Sequence, residues 1–303
     1  VRGAGLSNAL VKRTPQQLVE VWLATRRSES TRRQYRRYAN ELFEAIDKPL
    51  DSMDLEDLVA YFGRFSDLKA TTQAARVRVV KSLFSFALKI GYITINPASI
   101  IPTPRVPRRI DTRILAEDEV QRMLALERNP RNQAVLCLLY YGGMRAQEVV
   151  GLDWTDLSER EEGRGQVAIV GKGEKERFVL LPARIWSKIN VVRPTQKGLS
   201  NPPTPKSLSV ADSGRRLPVF RSQKGRGRLS ARQVHRIVRA AALRAGIDKP
   251  VSPHWLRHCH ASHSLRRGCA VNIIQDTLGH SSIATTSAYL HSRPGESSAL
   301  WLE

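Results

Sequence analysis

Apolar residues recur at helical spacing through most of the chain. Residues 1–13 show no clear period and read as a flexible lead. From Thr14-Pro15 a helix is predicted, with Leu18, Val19, Trp22 and Leu23 on one side. A second is predicted to open near Thr31, where Thr31 followed by Gln34 matches a capping box; its apolar face is Tyr35, Tyr38, Leu42, Phe43 and Ile46. A third runs from about Asp54 to Phe65. A fourth, from about Thr71 to Lys89, turns Val77, Val80, Phe84 and Leu88 inward and stops at Gly91, ahead of Asn96-Pro97. Together they predict a compact helical bundle over residues 14–100. The stretch from Ile101 to Ile110 carries three prolines and three arginines, too stiff and too charged for a core, and residues 101–112 read as a linker.

From residue 113 the pattern changes. A helix from about Glu117 to Glu127 is followed by a strongly apolar one, Ala134 to Tyr141, with Tyr140 and Tyr141 expected in the core. Gly142-Gly143 break that helix, and the next is predicted to begin at Arg145. Gln166–Val170 and Arg177–Leu181 alternate like strands and are joined by residues 171–176, a β-hairpin. Residues 191–216 are rich in Pro, Ser, Gly and Lys without an apolar period, which predicts a mobile surface insertion. Ser230 and Gln233 form another capping box, opening a helix to about Ala245. The fold class expected is mainly α: an N-terminal helical bundle, then a mostly helical domain over 113–303 with a small antiparallel β-sheet.

Composition narrows the partner. Lys and Arg number 49 against 28 Asp and Glu, a net charge of +21, which is self-repelling unless a polyanion is the working partner. Nucleic acid fits best, ahead of a membrane surface or of charge kept for solubility alone. Candidate phosphate contacts are Arg32, Arg33, Arg36 and Arg37 opposite the apolar face of the second helix, and Arg76, Arg78 and Lys81 on the fourth. Arg105, Arg108 and Arg109 in the linker join them, as do Arg226 and Arg228. No apolar run approaches membrane-spanning length, and the first thirteen residues lack a signal-peptide core, so a cytoplasmic, nucleoid-associated protein is expected. Three cysteines, Cys137, Cys259 and Cys269, cannot make a disulfide framework and suit a reducing compartment.

The reactive side chains gather between residues 251 and 291. His254 and Arg257 stand three apart, on one helix face; His280 follows the apolar run Val271–Leu278, and Tyr289 comes nine residues later. A phosphodiester attacked without a metal needs its two non-bridging oxygens neutralised, which the planar, permanently charged fork of arginine does best. It also needs a proton for the leaving alkoxide and an acceptor for the nucleophile's proton. A tyrosine hydroxyl suits that nucleophile, because phenolate leaves readily and the covalent intermediate stays reversible. Although His254 and His258 lie one helical turn apart, no metal-ligand spacing such as H-E-x-x-H or paired C-x-x-C is present, and no metal or other cofactor is expected. His258 and His260 read as packing or supporting groups, and His263 as a helix-surface residue.

These motifs resemble those of the tyrosine recombinases, the phage-integrase family. The run His254-Trp-Leu-Arg257-His258, then Leu278-Gly-His280 and Tyr289, resembles its box II; Gly142 to Glu148 resembles its box I; Gly171 to Arg177 resembles the hairpin that carries its lysine. The resemblance covers roughly residues 14–303 and is tightest from 113 onward. It implies a core-binding, SAM-like N-terminal domain and a catalytic domain over 113–303, on the simple two-domain Xer or Cre plan. It implies Tyr289 as nucleophile, Arg145 and Arg257 as the phosphate clamp, Lys172 as general acid with Lys175 in reserve, His254 as proton acceptor and His280 as a phosphate hydrogen bonder. Glu148 would orient a neighbour. The implied product is a 3′-phosphotyrosyl link with a free 5′ hydroxyl, exchanged through a four-way junction on double-stranded DNA with paired inverted sites. Four protomers would cooperate, the tail 292–303 docking Ala299–Leu302 on a neighbour, with accessory DNA-bending proteins as possible helpers. Two alternatives stay open: DNA relaxation of the type IB topoisomerase kind, and a DNA-binding protein without catalysis.

Overall fold

The structure, a computed structural model, describes residues 14–106, 111–171, 176–194, 217–222 and 227–279. The chain divides into two compact units, Val1–Arg108 and Arg109–Glu303.

The first unit is built on four helices. α1 (Pro15–Ala24) starts where Thr14 and Gln17 exchange side-chain-to-backbone hydrogen bonds, with Pro15 pre-set for the first turn. α2 (Glu29–Ile46) begins earlier than its capping-box pattern predicts. Its N-cap is Ser28 and makes no capping bond, while Glu29 in the first turn suits the positive end of the helix dipole. α3 (Leu55–Gly63) is opened by a capping box between Asp54 and Asp57. α4 (Ala70–Lys89) buries Val77, Val80, Leu83, Phe84 and Ala87. Leu88, expected inward, is exposed instead: three residues on from Phe84 the buried stripe falls on Ala87, so its neighbour turns outward. Trp22, Leu18, Leu42, Leu58 and Phe84 are wholly buried in one core, each side chain of this kind contributing about 1.5–3 kcal/mol.

In the second unit α5 (Glu117–Ala125) leads to α6 (Pro130–Tyr140), whose residues Ala134 to Tyr140 are all buried. A helix apolar on every side must be surrounded. α6 packs against α5, against α7 (Ala146–Gly151) and, from later in the chain, against α8 (Ala183–Asn190), α9 (Ala231–Arg244) and α10 (Pro253–Arg266). α11 (Val271–Leu278) follows, closed by Gly279 in the left-handed conformation. Between α7 and α8 lies an antiparallel sheet in the order β1 (Leu157–Glu159), β2 (Gly165–Val170), β3 (Glu176–Leu181). Its register, Leu157 opposite Val167 opposite Val179, sets one apolar face toward the core. β1 escapes sequence reading because three residues cannot display alternation. The capping box of Ser230 and Gln233 opens α9 as expected. No helix among the described residues is long and apolar enough to cross a membrane.

Candidate active site

The site grows from the break after α6. Gly143 has a φ of +57°, which a residue with a side chain adopts only with strain, and a Cβ there would lie 2.7 Å from Leu278 Cδ2 and 2.9 Å from His260 Cδ2. The absence of that atom lets α10 and α11 close on the turn. Arg257, on α10 and only 1 % exposed, donates from Nη1 to the Gly143 carbonyl and from Nη2 to the Leu278 carbonyl, each at 2.6 Å. His260, one turn on from Arg257, donates from Nδ1 to the Tyr140 carbonyl at 2.8 Å. Burial, offset only in part by that bond, pushes its pKa down to about 4, so the ring is neutral at ordinary pH. Replacing Gly143 by alanine is therefore expected to destabilise the chain by about 2–5 kcal/mol, joining left-handed backbone strain to overpacking, and to displace the carbonyl that Arg257 holds. A urea midpoint unchanged from wild type would contradict this.

Two residues beyond Gly143, Arg145 is the N-cap of α7. Its backbone N–H donates to Glu148 Oε2 at 2.7 Å and its Nη1 to Glu148 Oε1 at 2.8 Å. Glu148 also receives Arg177, Nη2 to Oε2 at 2.8 Å and Nη1 to Oε1 at 3.1 Å, while Arg177 Nε donates to the Thr277 carbonyl at 2.9 Å. Burial would raise the Glu148 pKa, but the Arg177 hydrogen bonds, the Arg145 amide, the Arg177 charge and the hydrogen bond from the Arg145 guanidinium together hold it below the ordinary glutamate range. The pair is not a surface salt bridge: Glu148 and Arg177 side chains are 10 % and 11 % exposed, whereas Arg145 is 44 % exposed.

His254 opens the first turn of α10, with its ring edge-on to His258 at 4.3 Å. Its pKa is lowered, first by crowding of protein around the ring and then by the charges of Arg257, Arg145 and Arg113. The ring is thus neutral at ordinary pH, in the field of Arg257 from its own helix and of Arg145 and Arg113 from distant segments. The structure brings together Arg145, Glu148, His254 and Arg257; Lys172, His280 and Tyr289 lie outside the described residues, as do Lys175, the tail 292–303 and residues 195–216 of the expected insertion.

Two neighbours of the site were missed by sequence reasoning. Arg177 shares a face of β3 with buried Val179 and Leu181, so an arginine on the apolar side of an alternating strand was the available signal. Arg113 precedes α5 in a 3-10 turn and had no signal in periodicity. His263, expected at the surface, is 2 % exposed: its Nε2 donates to the Leu115 carbonyl at 3.0 Å and its Nδ1 receives the Tyr140 hydroxyl at 3.0 Å. Two polar partners inside the domain make burial of the ring affordable.

The basic residues also sort differently from expectation. Arg76 is turned inward, 7 % exposed, paired with Glu41 at 3.2 Å and stacked over Phe65 and Tyr38. Arg228 donates to the Gly151 and Leu152 carbonyls at the end of α7 and to the buried Asp153 at 2.6 Å, a structural role. The basic face of α2 is of mixed sign after all: Arg33 pairs with Glu29, Arg37 with Glu41 and Arg36 with Glu20. Lys81 reaches the Ser99 carbonyl at 3.1 Å. Arg32, Arg78 and Arg105 are exposed, and Arg108, Arg109 and Arg226 lie outside the described residues. Among the described residues no three His, Cys, Asp or Glu side chains cluster to hold a metal ion.

Fold and site together define a helical domain that collects cationic groups from separate segments around one turn, beside a neutral histidine. The phage integrase family model matches residues 113–296. The chain is 32 % identical over 225 residues to a tyrosine recombinase XerC of Thermodesulfovibrio yellowstonii, covering 73 % of this chain and 71 % of that one. It is 30 % identical over 287 residues to a tyrosine recombinase XerD of Haemophilus influenzae, covering 90 % and 91 %. The fold is also that of the XerH site-specific recombinase in its post-cleavage complex with a palindromic difH substrate, with a TM-score of 0.70 at 22 % identity over 96 % of this chain and 85 % of that one. The chain belongs to the phage integrase family of tyrosine recombinases.

Proposed function

We propose that this site-specific recombinase breaks and rejoins double-stranded DNA through a 3′-phosphotyrosyl intermediate. Tyr289 Oη attacks the scissile phosphorus and gives its proton to neutral His254. The P–O5′ bond breaks, and O5′ takes a proton from Lys172. Arg145 and Arg257 neutralise the non-bridging oxygens while His280 hydrogen-bonds one of them. Attack by a 5′ hydroxyl from a second duplex reverses each of these transfers, frees the tyrosine and exchanges the strand. The phosphoester bond energy is conserved, so no nucleotide is required.

The observation that carries this reading is the Arg257 fork on the Gly143 carbonyl, which ties α10 to the turn that presents Arg145. The Tn1549 transposon integrase, another chain of this fold, is in complex with circular intermediate DNA, which supports the same class of partner here. We assign the bundle of residues 14–100 to the core of the DNA site, with Arg32, Arg78 and Arg105 as phosphate contacts. Paired inverted sites, a tetramer held by the tail 292–303 and accessory DNA-bending proteins complete the proposal.

The test is a pair of plasmid assays. A plasmid with two copies of the site recovered by nuclease protection is expected to yield recombinants. Relaxation of supercoils on a one-site plasmid, without recombinants from the two-site plasmid, would overturn the assignment in favour of a topoisomerase.

A further inference from the structure

We infer that Arg177 is a positioning residue for the phosphate-binding Arg145, acting through Glu148. The inference rests on the reading that Arg145 neutralises the scissile phosphate. Glu148 is the only described acid bonded to the Arg145 guanidinium. Alone, such a pair would be neutral overall, and a carboxylate beside the clamp would repel the phosphate it is meant to hold. Arg177 changes that balance. Its fork engages both carboxylate oxygens, so the cluster of Arg145, Glu148 and Arg177 keeps one net positive charge, and the exposed member is Arg145 while Arg177 is largely buried.

Glu148 is thus a fixed bracket. One oxygen caps the Arg145 backbone N–H and the other holds its Nη1, so both the chain and the guanidinium are oriented from one carboxylate. The bracket is itself anchored to α11, because Arg177 Nε donates to the Thr277 carbonyl. A Cβ on Gly279 would meet Arg177 Cδ at 3.0 Å, so the guanidinium arm lies flat against the glycine that ends α11. That glycine immediately precedes His280. Arg177 therefore couples the segment bearing one predicted phosphate contact to the segment leading to another, without touching the phosphate.

The test separates positioning from mere folding. Wild-type chain is used to capture, as a covalent adduct, reactive duplexes from a randomised pool. The captured duplex is then made with the ordinary phosphodiester or with a methylphosphonate, which lacks the charge that the clamp neutralises. Because removing Arg177 alone leaves Glu148 buried and unpaired, the variant used is the double substitution Arg177→Gln with Glu148→Gln, its fold checked by thermal unfolding. On the phosphodiester, that variant and Arg145→Ala are each expected to form adduct about 10²-fold more slowly than wild type. On the methylphosphonate both deficits are expected to shrink to about tenfold or less. Arg177→Lys, which keeps the charge but not the fork, is expected to remain slow.

If the Arg145→Ala deficit shrinks while that of the double variant stays the same on both substrates, Arg177 is only structural and the inference fails. If the Arg145→Ala deficit does not shrink, or no duplex is captured, the reading of the site itself is at fault. Wild-type rates in Arg177→Lys would also overturn the inference.

Discussion

Tyr289→Phe is expected to eliminate covalent attachment to DNA while leaving DNA binding intact. The substitution removes one oxygen, the atom that forms the bond to phosphorus, and leaves the ring that any packing would use. Loss of a covalent nucleophile costs on the order of 10⁶-fold in enzymes where it has been removed cleanly, so adduct should fall below detection. Binding draws on many phosphate contacts and should change by no more than the net worth of one hydrogen bond, about 1 kcal/mol. The measurement is labelled duplex retained by protein on a denaturing gel, beside a native-gel titration. Undiminished adduct would mean that another hydroxyl attacks. Adduct and binding lost together would mean that the phenol also serves the fold. Mixing Tyr289→Phe with Arg145→Ala chains distinguishes a tyrosine that works in its own protomer from one delivered to a neighbour, because only delivery can restore cleavage in the mixture.

Much of this arrangement was legible in the residues, and the reasons are local. Caps can announce themselves: Ser230 with Gln233 forms the reciprocal bonds that its spacing implies, and Thr14 with Gln17, not read as a capping box, has the same spacing and forms the same bonds. The Gly142-Gly143 break and the helix start after Arg145 follow from backbone preference alone. The pattern at Thr31 misled because a capping box can also occur inside a helix, where earlier residues already supply the turn. Long-range partnerships were not legible. Nothing in the order of residues says that Arg257 will seize the carbonyls of Gly143 and Leu278, or that His263 will sit between Leu115 and Tyr140. Those contacts depend on how helices far apart in sequence pack around α6. Charge was misread only partly for that reason: Glu20, on α1, neutralises Arg36 across the fold, but Glu29 and Glu41 lie on α2 itself, one turn from Arg33 and Arg37, and their spacing was there to be read. Arg76 and Arg228 look identical to surface arginines until the fold supplies Glu41 and Asp153.

Arg257→Lys and Arg145→Lys are expected to part company, and the contrast tests what the buried fork does. Arg145 is half-exposed, and lysine can keep a charge near Glu148, so Arg145→Lys should shift stability by no more than about 1 kcal/mol. Adduct formation should nevertheless drop about 10²–10³-fold, since a point charge cannot grip two oxygens. Arg257 is different because its two Nη atoms satisfy carbonyls from separate segments at 2.6 Å each. A single lysine Nζ cannot occupy both positions, so at least one carbonyl is left unpaired inside the domain, at a cost of about 1–3 kcal/mol. Arg257→Ala leaves both unpaired and opens a void, for a loss of about 4 kcal/mol or more when these costs are combined. The urea midpoint should therefore fall in the order Arg145→Lys, Arg257→Lys, Arg257→Ala, from least to most affected, while all three lose adduct formation. Equal midpoints for the two lysine variants would mean that the fork does not join the turn after α6 to the end of α11. The site would then have to be held together by some other contact.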